Sequence, residues 1–457
     1  MKTAIILAAG RGRKIWPYSS TRQKVTLPLA NKALIRWQVE QLRKAGFERI
    51  YVVVGYRKEQ VFNVLAEMEN IEYIEQKGQG TNAALASAIE HVQDERFAVL
   101  YGDVVLTDDD IKRFLNEQQH AGAFCSMLIH PLGSERPSDW MCVRAEENRI
   151  IEILGHPRDN VSFRVAGFFS FSKAILPYLL RNPGAMSSVQ VGMMPPDEAQ
   201  LEEAIQAAIE DGESIHAVET TGFAYDLDKP WHYLEASFNW NDHVCRRIDR
   251  DMIGKGTFIS DAADIHGRIV TGEHVEIGKG VIIEGNVIIG ANSKIIQGAI
   301  LDPNIVVGER CTIRRYCQIE QNSTIGHECT IGHGAEVGGI LLRRAYAYHY
   351  GEFWGILGDN GDLGAATVCG TLRFDDQNTI HTISNRREFP QFGADAAYLG
   401  DYVRTGVNVI ISPGTKIGAY SVIGAGTIVR QDVPDNSLLY VEQEQVKKAW
   451  GPEMYGW

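Results

Sequence analysis

From Ile259 to Val337, every sixth residue is Ile259, Ile265, Thr271, Ile277, Ile283, Ile289, Ile295, Leu301, Val307, Ile313, Ile319, Ile325, Ile331 and Val337, and thirteen of these fourteen are aliphatic. A period of six is neither the roughly 3.6 of a helix nor the roughly 2 of an isolated strand. It predicts a hexapeptide β-helix, in which each hexad forms one side of a triangular coil and points its aliphatic side chain inward. The register resumes at Leu399, Thr405, Ile411, Ile417, Ile423 and Val429, with a shorter run at Leu357, Leu363 and Cys369. Two irregular segments, near 338–356 and 376–397, are therefore expected as loops expelled from the coil.

The first half carries a different pattern. Apolar runs at IILAA, RIYVVVG, FAVLYGD and FRVAGFFSFS alternate with helical stretches such as IRWQVEQLRKAG and EAQLEEAIQAAIEDG. That alternation predicts a Rossmann-like α/β domain with a mostly parallel sheet covered on both faces, and ligands at the C-terminal ends of its strands. LEASFNWNDHVCRRIDRDM, residues 234–252, reads as a joining helix. The expected division is a first domain over 1–236, a linker helix over 237–256 and a β-helix domain over 257–457.

Composition narrows the partners. A chain of 457 residues is too long for one core, and 44% hydrophobic with 23% charged residues is the balance of a soluble globular protein. A net charge of −13 argues against nucleic acid or an anionic membrane as the main partner. No run approaches the ~20 apolar residues of a membrane span, and the first strand flows straight into a glycine turn, so a cytoplasmic protein is expected. Cys311, Cys317 and Cys329 are spaced by multiples of six and form no CxxC pair, which fits small inward side chains better than a metal site. His327 and His333 fall at equivalent positions on neighbouring sides, where a solvated structural role is expected.

Candidate chemistry gathers in four places. LAAGRGRKIWP follows the first strand, and Gly10 and Gly12 let the backbone approach a phosphate closely and aim N–H groups at it. Arg11, Arg13, Lys14 and then Lys24 add positive charge. EQKGQGTNAA supplies Gln76 or Gln79, each able to offer a donor and an acceptor to a pyrimidine edge. YGDVVL ends an apolar strand in Asp103, and YDLDKPWHYLEA carries Asp226. Two such carboxylates, completed by phosphate oxygens, suit Mg²⁺.

Taken together, LAAGRGRKIWP, QKVTLPLANKALI, EQKGQGTNAA, YGDVVL and YDLDKPW resemble the signature segments of the sugar-1-phosphate nucleotidylyltransferases. The whole chain resembles the two-domain members, N-acetylglucosamine-1-phosphate uridylyltransferases and their archaeal-type relatives, which carry a left-handed β-helix acyltransferase behind the first domain. The resemblance implies an NTP, UTP or dTTP, and a sugar-1-phosphate as substrates. It implies Mg²⁺ on Asp103 and Asp226, with Lys14 and Lys24 as catalytic cations. Nucleotide contacts would come from Ala8, Ala9, Gly10, Gly12, Arg13, Gln76, Gln79, Gly80 and Thr81, and a homotrimer would be held through the β-helix.

The chain also departs from the family. Lys14 stands where the family has Arg and lacks its bidentate fork. Gln23 replaces the proline before Lys24, and Asp228 stands where the Asp-Val-Gly run has Gly. Gly155, His156 and Pro157 replace Glu-Lys-Pro, so His156 occupies the position of the phosphate-binding Lys, while Gly167 of the sugar pocket is kept. In the acyltransferase loop Tyr348 falls where a His is expected, His349 is one place away and is the candidate base for acetyl-CoA chemistry, and Gly351 stands at the expected Tyr. Thr371 replaces an Asn, and RFDDQNT lacks the Lys. Three readings follow: an NDP-sugar synthase with a β-helix stem, a bifunctional enzyme that also acylates an amino sugar, and a non-catalytic nucleotide-binding or regulatory homologue.

Overall fold

The computed structural model describes residues 1–182 and 199–455. Within the predicted helical stretch 198–212, Leu201–Glu210 is helix and residue 198 lies outside the described residues. The apolar runs become the buried strands Thr3–Leu7, Arg49–Val54 and Arg96–Tyr101. Alternation splits their side chains: Ile5 and Leu7 pack under the helix Gly80–Ile89, while Ala4 and Ile6 pack under Leu34–Lys44 on the other face.

The expected mostly parallel sheet is only half parallel. Ile71–Glu75, Arg49–Val54, Thr3–Leu7 and Arg96–Tyr101 run parallel in that order, and Ile215–Glu219 runs parallel to Cys125–Pro131. Phe163–Ser172, however, enters antiparallel between Arg96–Tyr101 and Cys125–Pro131. At the far edge Met141–Glu146 and Arg149–Gly155 form a hairpin, whose two-residue connection permits only antiparallel pairing.

The second half is a left-handed parallel β-helix. Strands pair with partners eighteen residues on, as in Val287 with Ile305, and Ile277, Ile283, Ile289, Ile295 and Ile313 are fully buried along its axis. Burying each such side chain stabilises the coil by about 1.5–3 kcal/mol. Thr271, the one polar member of the Ile259–Val337 series, is buried but accepts a hydrogen bond from the Gly254 N–H at 2.9 Å. The cysteine reading is consistent: Cys311, Cys317 and Cys329 are buried, and their thiols face the carbonyls of Gly326, Gly332 and Leu342.

Residues 338–356 are not an expelled loop. They continue the β-helix in shortened coils, with Thr324 paired to Ile340 and Glu336 to Glu352, sixteen residues apart. Glu336–Leu341 and Glu352–Leu357 each turn a corner as one unbroken strand. Glycine makes that possible: Gly339 has φ +91, and a Cβ there would lie 2.2 Å from the Gly355 carbonyl oxygen. The other irregular segment does leave the coil. Leu357 pairs with Leu399, 42 residues on, and the intervening chain forms the hairpin His381–Ile383 and Arg386–Glu388.

The joining helix differs from the expected 237–256. It runs Pro230–Cys245, with Pro230 favouring a helix start, and it packs between the halves. Ile15, Tyr18 and Leu29 of the first half meet Leu234 and Trp240 of this helix and Ile340, Ile356 and Tyr398 of the β-helix in one cluster. His327, expected to be solvated, also lies between the halves: its Nε2 faces the Asn31 carbonyl at 3.3 Å, and its Nδ1 accepts from the Glu309 N–H at 3.0 Å.

One side of the shortened coils is crowded with carboxylates. Burial, then the charges of Glu336, Asp302 and Glu352, push the half-buried Glu320 up to about 7 from 4.5. The folded state thus holds a proton that the unfolded chain has released, and stability falls as pH rises from about 4.5 to 7 and stays lowered above that. Glu320→Gln is expected to raise stability at pH ~8 by about 1 kcal/mol after allowance for solvent screening, with no gain at pH ~4. Thermal unfolding of both proteins at the two pH values measures this.

Candidate active site

The site is assembled where parallel strands end. The Leu7 end of Thr3–Leu7 leads into the glycine turn, where Gly12 has φ +60 and a Cβ would lie 3.1 Å from the Lys24 Cβ. Gly12 therefore supplies both the left-handed backbone and the room that lets Lys24 pass. The buried Gln23, at the position of the family's proline, fastens the turn: its Nε2 donates to the carbonyls of Ala8 at 2.8 Å and Gly10 at 2.9 Å.

The acidic pair is set by strand register. Val104–Leu106 runs antiparallel to Ala224–Asp226 with Val104 opposite Asp226, so Asp103 and Asp226 arrive side by side. Two buried side chains brace this pairing. Gln38 Nε2 donates to the carbonyls of Tyr101 at 2.9 Å and Val104 at 2.8 Å, on either side of Asp103. Asp110 accepts from the N–H groups of Thr221 and Gly222, just before the strand that carries Asp226.

Lys24 Nζ lies 2.5 Å from Asp103 Oδ2, with side-chain exposures of 10% and 27%. Burial opposes the Lys24 charge, but Asp103, Asp226 and Asp228 outweigh it and hold the ammonium above its ordinary value. Burial, followed by the Asp103 charge, pushes Asp226 up to about 7. Asp226 Oδ1 is buried without a hydrogen-bond partner. A hard divalent cation fits this arrangement, since it would ligate the orphaned oxygen and relieve the repulsion between the carboxylates. Among the described residues, no three His, Cys, Asp or Glu side chains form a metal-binding group. The pair would need phosphate oxygens or water to complete a shell.

Lys14 and Asp228, two separate departures in the sequence, are one interaction in space: Nζ and Oδ2 are 3.1 Å apart. The Asp228 charge raises Lys14, and although burial opposes its ionisation, the surrounding lysines hold Asp228 well below the usual carboxylate range.

The loop between the glycine turn and Lys24 is fastened to the β-helix. Trp16 Nε1 donates to Asp435 at 3.1 Å, and Ser20 Oγ donates to the same carboxylate at 2.7 Å. Tyr18 O–H donates to the Ile356 carbonyl at 3.0 Å. Arg22 Nη2 lies 2.6 Å from both oxygens of the buried Asp401 and 3.1 Å from Asp359, and Thr21 also hydrogen-bonds Asp401.

The profile of the family described as Nucleotidyl transferase matches residues 3–243, more than half of the chain. The chain belongs to this family. A Bacterial transferase hexapeptide (six repeats) profile matches 304–339. This nucleotidyl transferase is 34% identical to a "Bifunctional protein GlmU" of Methanococcus maripaludis (strain C7), over 97% of this chain and 98% of that protein. It is 28% identical to a "Bifunctional sugar-1-phosphate nucleotidylyltransferase/acetyltransferase" of Sulfurisphaera tokodaii, over 94% and 98%. Among solved structures, a UDP-glucose pyrophosphorylase complexed with UDP-glucose covers 53% of this chain and 99% of its own, at 22% identity and TM-score 0.46.

In this nucleotidyl transferase Lys14, Lys24, Asp103 and Asp226 come together with Gly12, and the Ala8–Gly10 turn is held beside them by Gln23. The other candidates are engaged differently. Gln76 Nε2 turns onto its own loop, donating to the Gly80 carbonyl at 3.0 Å, whereas Gln79 is exposed. Thr81 Oγ1 accepts from the Leu201 N–H at 2.8 Å, which ties two helices. Arg13 is exposed, and Gly80 lies against Ala199, whose carbonyl oxygen would be 2.2 Å from a Cβ. The space freed by Gly167, φ +72, is taken by Val104 and Tyr101. His156 Nδ1–H donates to the Ser138 carbonyl at 3.1 Å, and burial, then Lys14 and Arg386, lower its pKa. His349 lies in the β-helix beside His333, ring centroids 5.9 Å apart, and its Nδ1 is buried without a partner. No helix is long and apolar enough to cross a membrane among the described residues.

Gln23, Gln38 and Asp110 are the residues that sequence reasoning missed as site supports. Only Gln23 carried a signal, as the replacement of a family proline.

Proposed function

We propose that this protein transfers a nucleotidyl group from UTP or dTTP to a sugar-1-phosphate, releasing pyrophosphate and making an NDP-sugar. The convergence of Lys24, Asp103 and Asp226 beside the glycine turn carries this reading. A phosphate oxygen of the acceptor attacks the α-phosphorus, the bond from that phosphorus to the bridging oxygen of the β-phosphate breaks, and pyrophosphate leaves with the electron pair. The acceptor phosphate is ionised at neutral pH, so the step needs no protein base. Mg²⁺, held by Asp103 and Asp226 with phosphate oxygens, would neutralise charge on the reacting phosphates. Lys24 orients the acidic pair and offers its ammonium to the α-phosphate, while Gly10 and Gly12 admit the triphosphate to the backbone.

A second reading adds acetyl transfer from acetyl-CoA to an amino sugar in the β-helix. It is favoured by the acetyltransferase in the relative's name and by the unpartnered His349 Nδ1. A homotrimer through the β-helix is supported by the partly exposed Ile410 and Ile428, which pair in successive coils. The reading further takes the protein to act in the cytoplasm.

The test is pyrophosphate release with Mg²⁺ across a matrix of NTPs and sugar-1-phosphates, beside Asp103→Ala, with free-thiol release from acetyl-CoA followed separately. Turnover confined to particular pairs and lost in Asp103→Ala is expected. Silence across the whole matrix with nucleotide still bound in calorimetry would favour the non-catalytic reading.

A further inference from the structure

We infer that Arg386, on the hairpin extended from the β-helix, is a ligand for the acceptor's phosphate group, so that the second half supplies part of the nucleotidyl-transfer site. The inference rests on the proposed function and deepens it.

The hairpin is built to hold a fixed position. Its two-residue turn, Ser384 and Asn385, has φ of 49 and 65, as a type I′ connection requires. At its base His381 Nε2 faces the Ala394 carbonyl at 2.7 Å, and its ring lies 4.7 Å from Trp231 of the joining helix. At the end of its second strand, Glu388 Oε2 lies 2.9 Å from Lys229 Nζ, both side chains 5% exposed. Lys229 is the neighbour of Asp228, so this buried ion pair registers the hairpin directly against the segment that carries Asp226 and Asp228.

From that position Arg386 reaches the Ser138–Asp139 segment of the first half, beside His156. Its Nη2 donates to the Ser138 carbonyl at 2.9 Å and pairs with Asp139. The same Ser138 carbonyl accepts from His156 Nδ1–H at 3.1 Å, which makes the guanidinium and the imidazole neighbours around one oxygen. The charges of Lys14 and Arg386 both act on His156. Three nitrogen-bearing side chains thus surround one region, but burial and the two adjacent cations disfavour charge on His156, and Lys14 is bound to Asp228.

A phosphate monoester needs at least one committed cation, and His156 stands where the resembled family has a lysine. Arg386 supplies a permanent charge and a planar fork suited to two phosphate oxygens. Its Nε lies 3.6 Å from Glu388 Oε1 on its own hairpin, but its Nη1 carries no hydrogen bond among the described residues, and its side chain is 38% exposed. The competing role is a simple staple between the halves, through Asp139. The two roles make opposite demands: a staple needs Asp139, whereas a phosphate ligand competes with it.

The test compares the full-length wild type with Arg386→Ala, Arg386→Lys and Asp139→Asn, varying NTP and sugar-1-phosphate in turn and reading pyrophosphate release. Arg386→Ala is expected to raise the acceptor KM about tenfold or more, the scale of a lost hydrogen bond to a charged group, with the NTP KM within about twofold. Arg386→Lys restores part of the loss, and Asp139→Asn leaves the acceptor KM equal or lower. Equal change in both KM values, an unchanged acceptor KM in Arg386→Ala, or Asp139→Asn matching Arg386→Ala would overturn the inference alone. A wild type that turns over no pair would overturn the proposed function, and the inference with it.

Discussion

Lys24→Met is expected to lower kcat for pyrophosphate release by about 100- to 1,000-fold, the loss seen when one preorganised charge-stabilising donor is removed from an active site. Methionine keeps most of the side-chain volume against Gly12, where a Cβ would already lie 3.1 Å from the Lys24 Cβ, so the turn should survive. The charge cannot be replaced from nearby, because Lys14 is bound to Asp228. Without Lys24, Asp103 loses its 2.5 Å partner and the acidic cluster faces the incoming triphosphate uncompensated. Steady-state rates of wild type and variant, with a melting curve to confirm folding, measure the effect. A kcat within tenfold of wild type would remove Lys24 from the reacting centre.

Asp401→Ala is the second large effect, and it acts from the other half of the chain. The Arg22 side chain is 13% exposed, with both Asp401 oxygens at 2.6 Å and Asp359 at 3.1 Å. Removing one partner of a buried ion pair typically costs about 3–5 kcal/mol, because the remaining charge stays desolvated. Asp359 keeps part of the compensation, so the low end of that range is expected. Thr21 loses its partner in the same step. The variant should melt earlier, show faster amide exchange over residues 13–24, and transfer nucleotide more slowly. Unaltered exchange in that loop would show that Trp16, Ser20 and Tyr18 hold it alone.

These two experiments probe parts of the protein that were unequally visible in the sequence. The hexads were legible because every sixth side chain meets the same axial environment, so the fold writes itself into a local period. That period broke at 338–356 for a physical reason: two corners were shortened around Gly339 and Gly355, and the register moved by two residues at each. The shortened coils are the ones that present Ile340 and Ile356 to the first half. An interruption that read as a loop is therefore a docking surface.

Asp103 was legible because it ends a recognisable apolar run, and Lys24 and Asp226 because they stand in segments that resemble the family's signature. Lys14 and Asp228 read as two separate departures from the family, since their relation exists only in space, 214 residues apart in sequence. Gln38 and Asp110 sit on the helices that follow QKVTLPLANKALI and YGDVVL, just outside those motifs, and brace the site through backbone carbonyls and N–H groups. Such contacts leave no periodic trace. Gln76 and Thr81 show the reverse case, in which suitable chemistry is occupied by local hydrogen bonds.

The clamp on the signature loop also imposes an order in time. Trp16 and its partner Asp435 are 419 residues apart, so the coil that carries Asp435 completes a loop made that much earlier in synthesis. At about 5–20 residues per second, roughly 20–80 s of synthesis separate the two. During that interval the first domain can build its sheet, but its loop has no carboxylates to grip. A chain truncated before Asp359 would lack every carboxylate that grips this loop, so a check on the later coils is built into the chemistry of the signature loop.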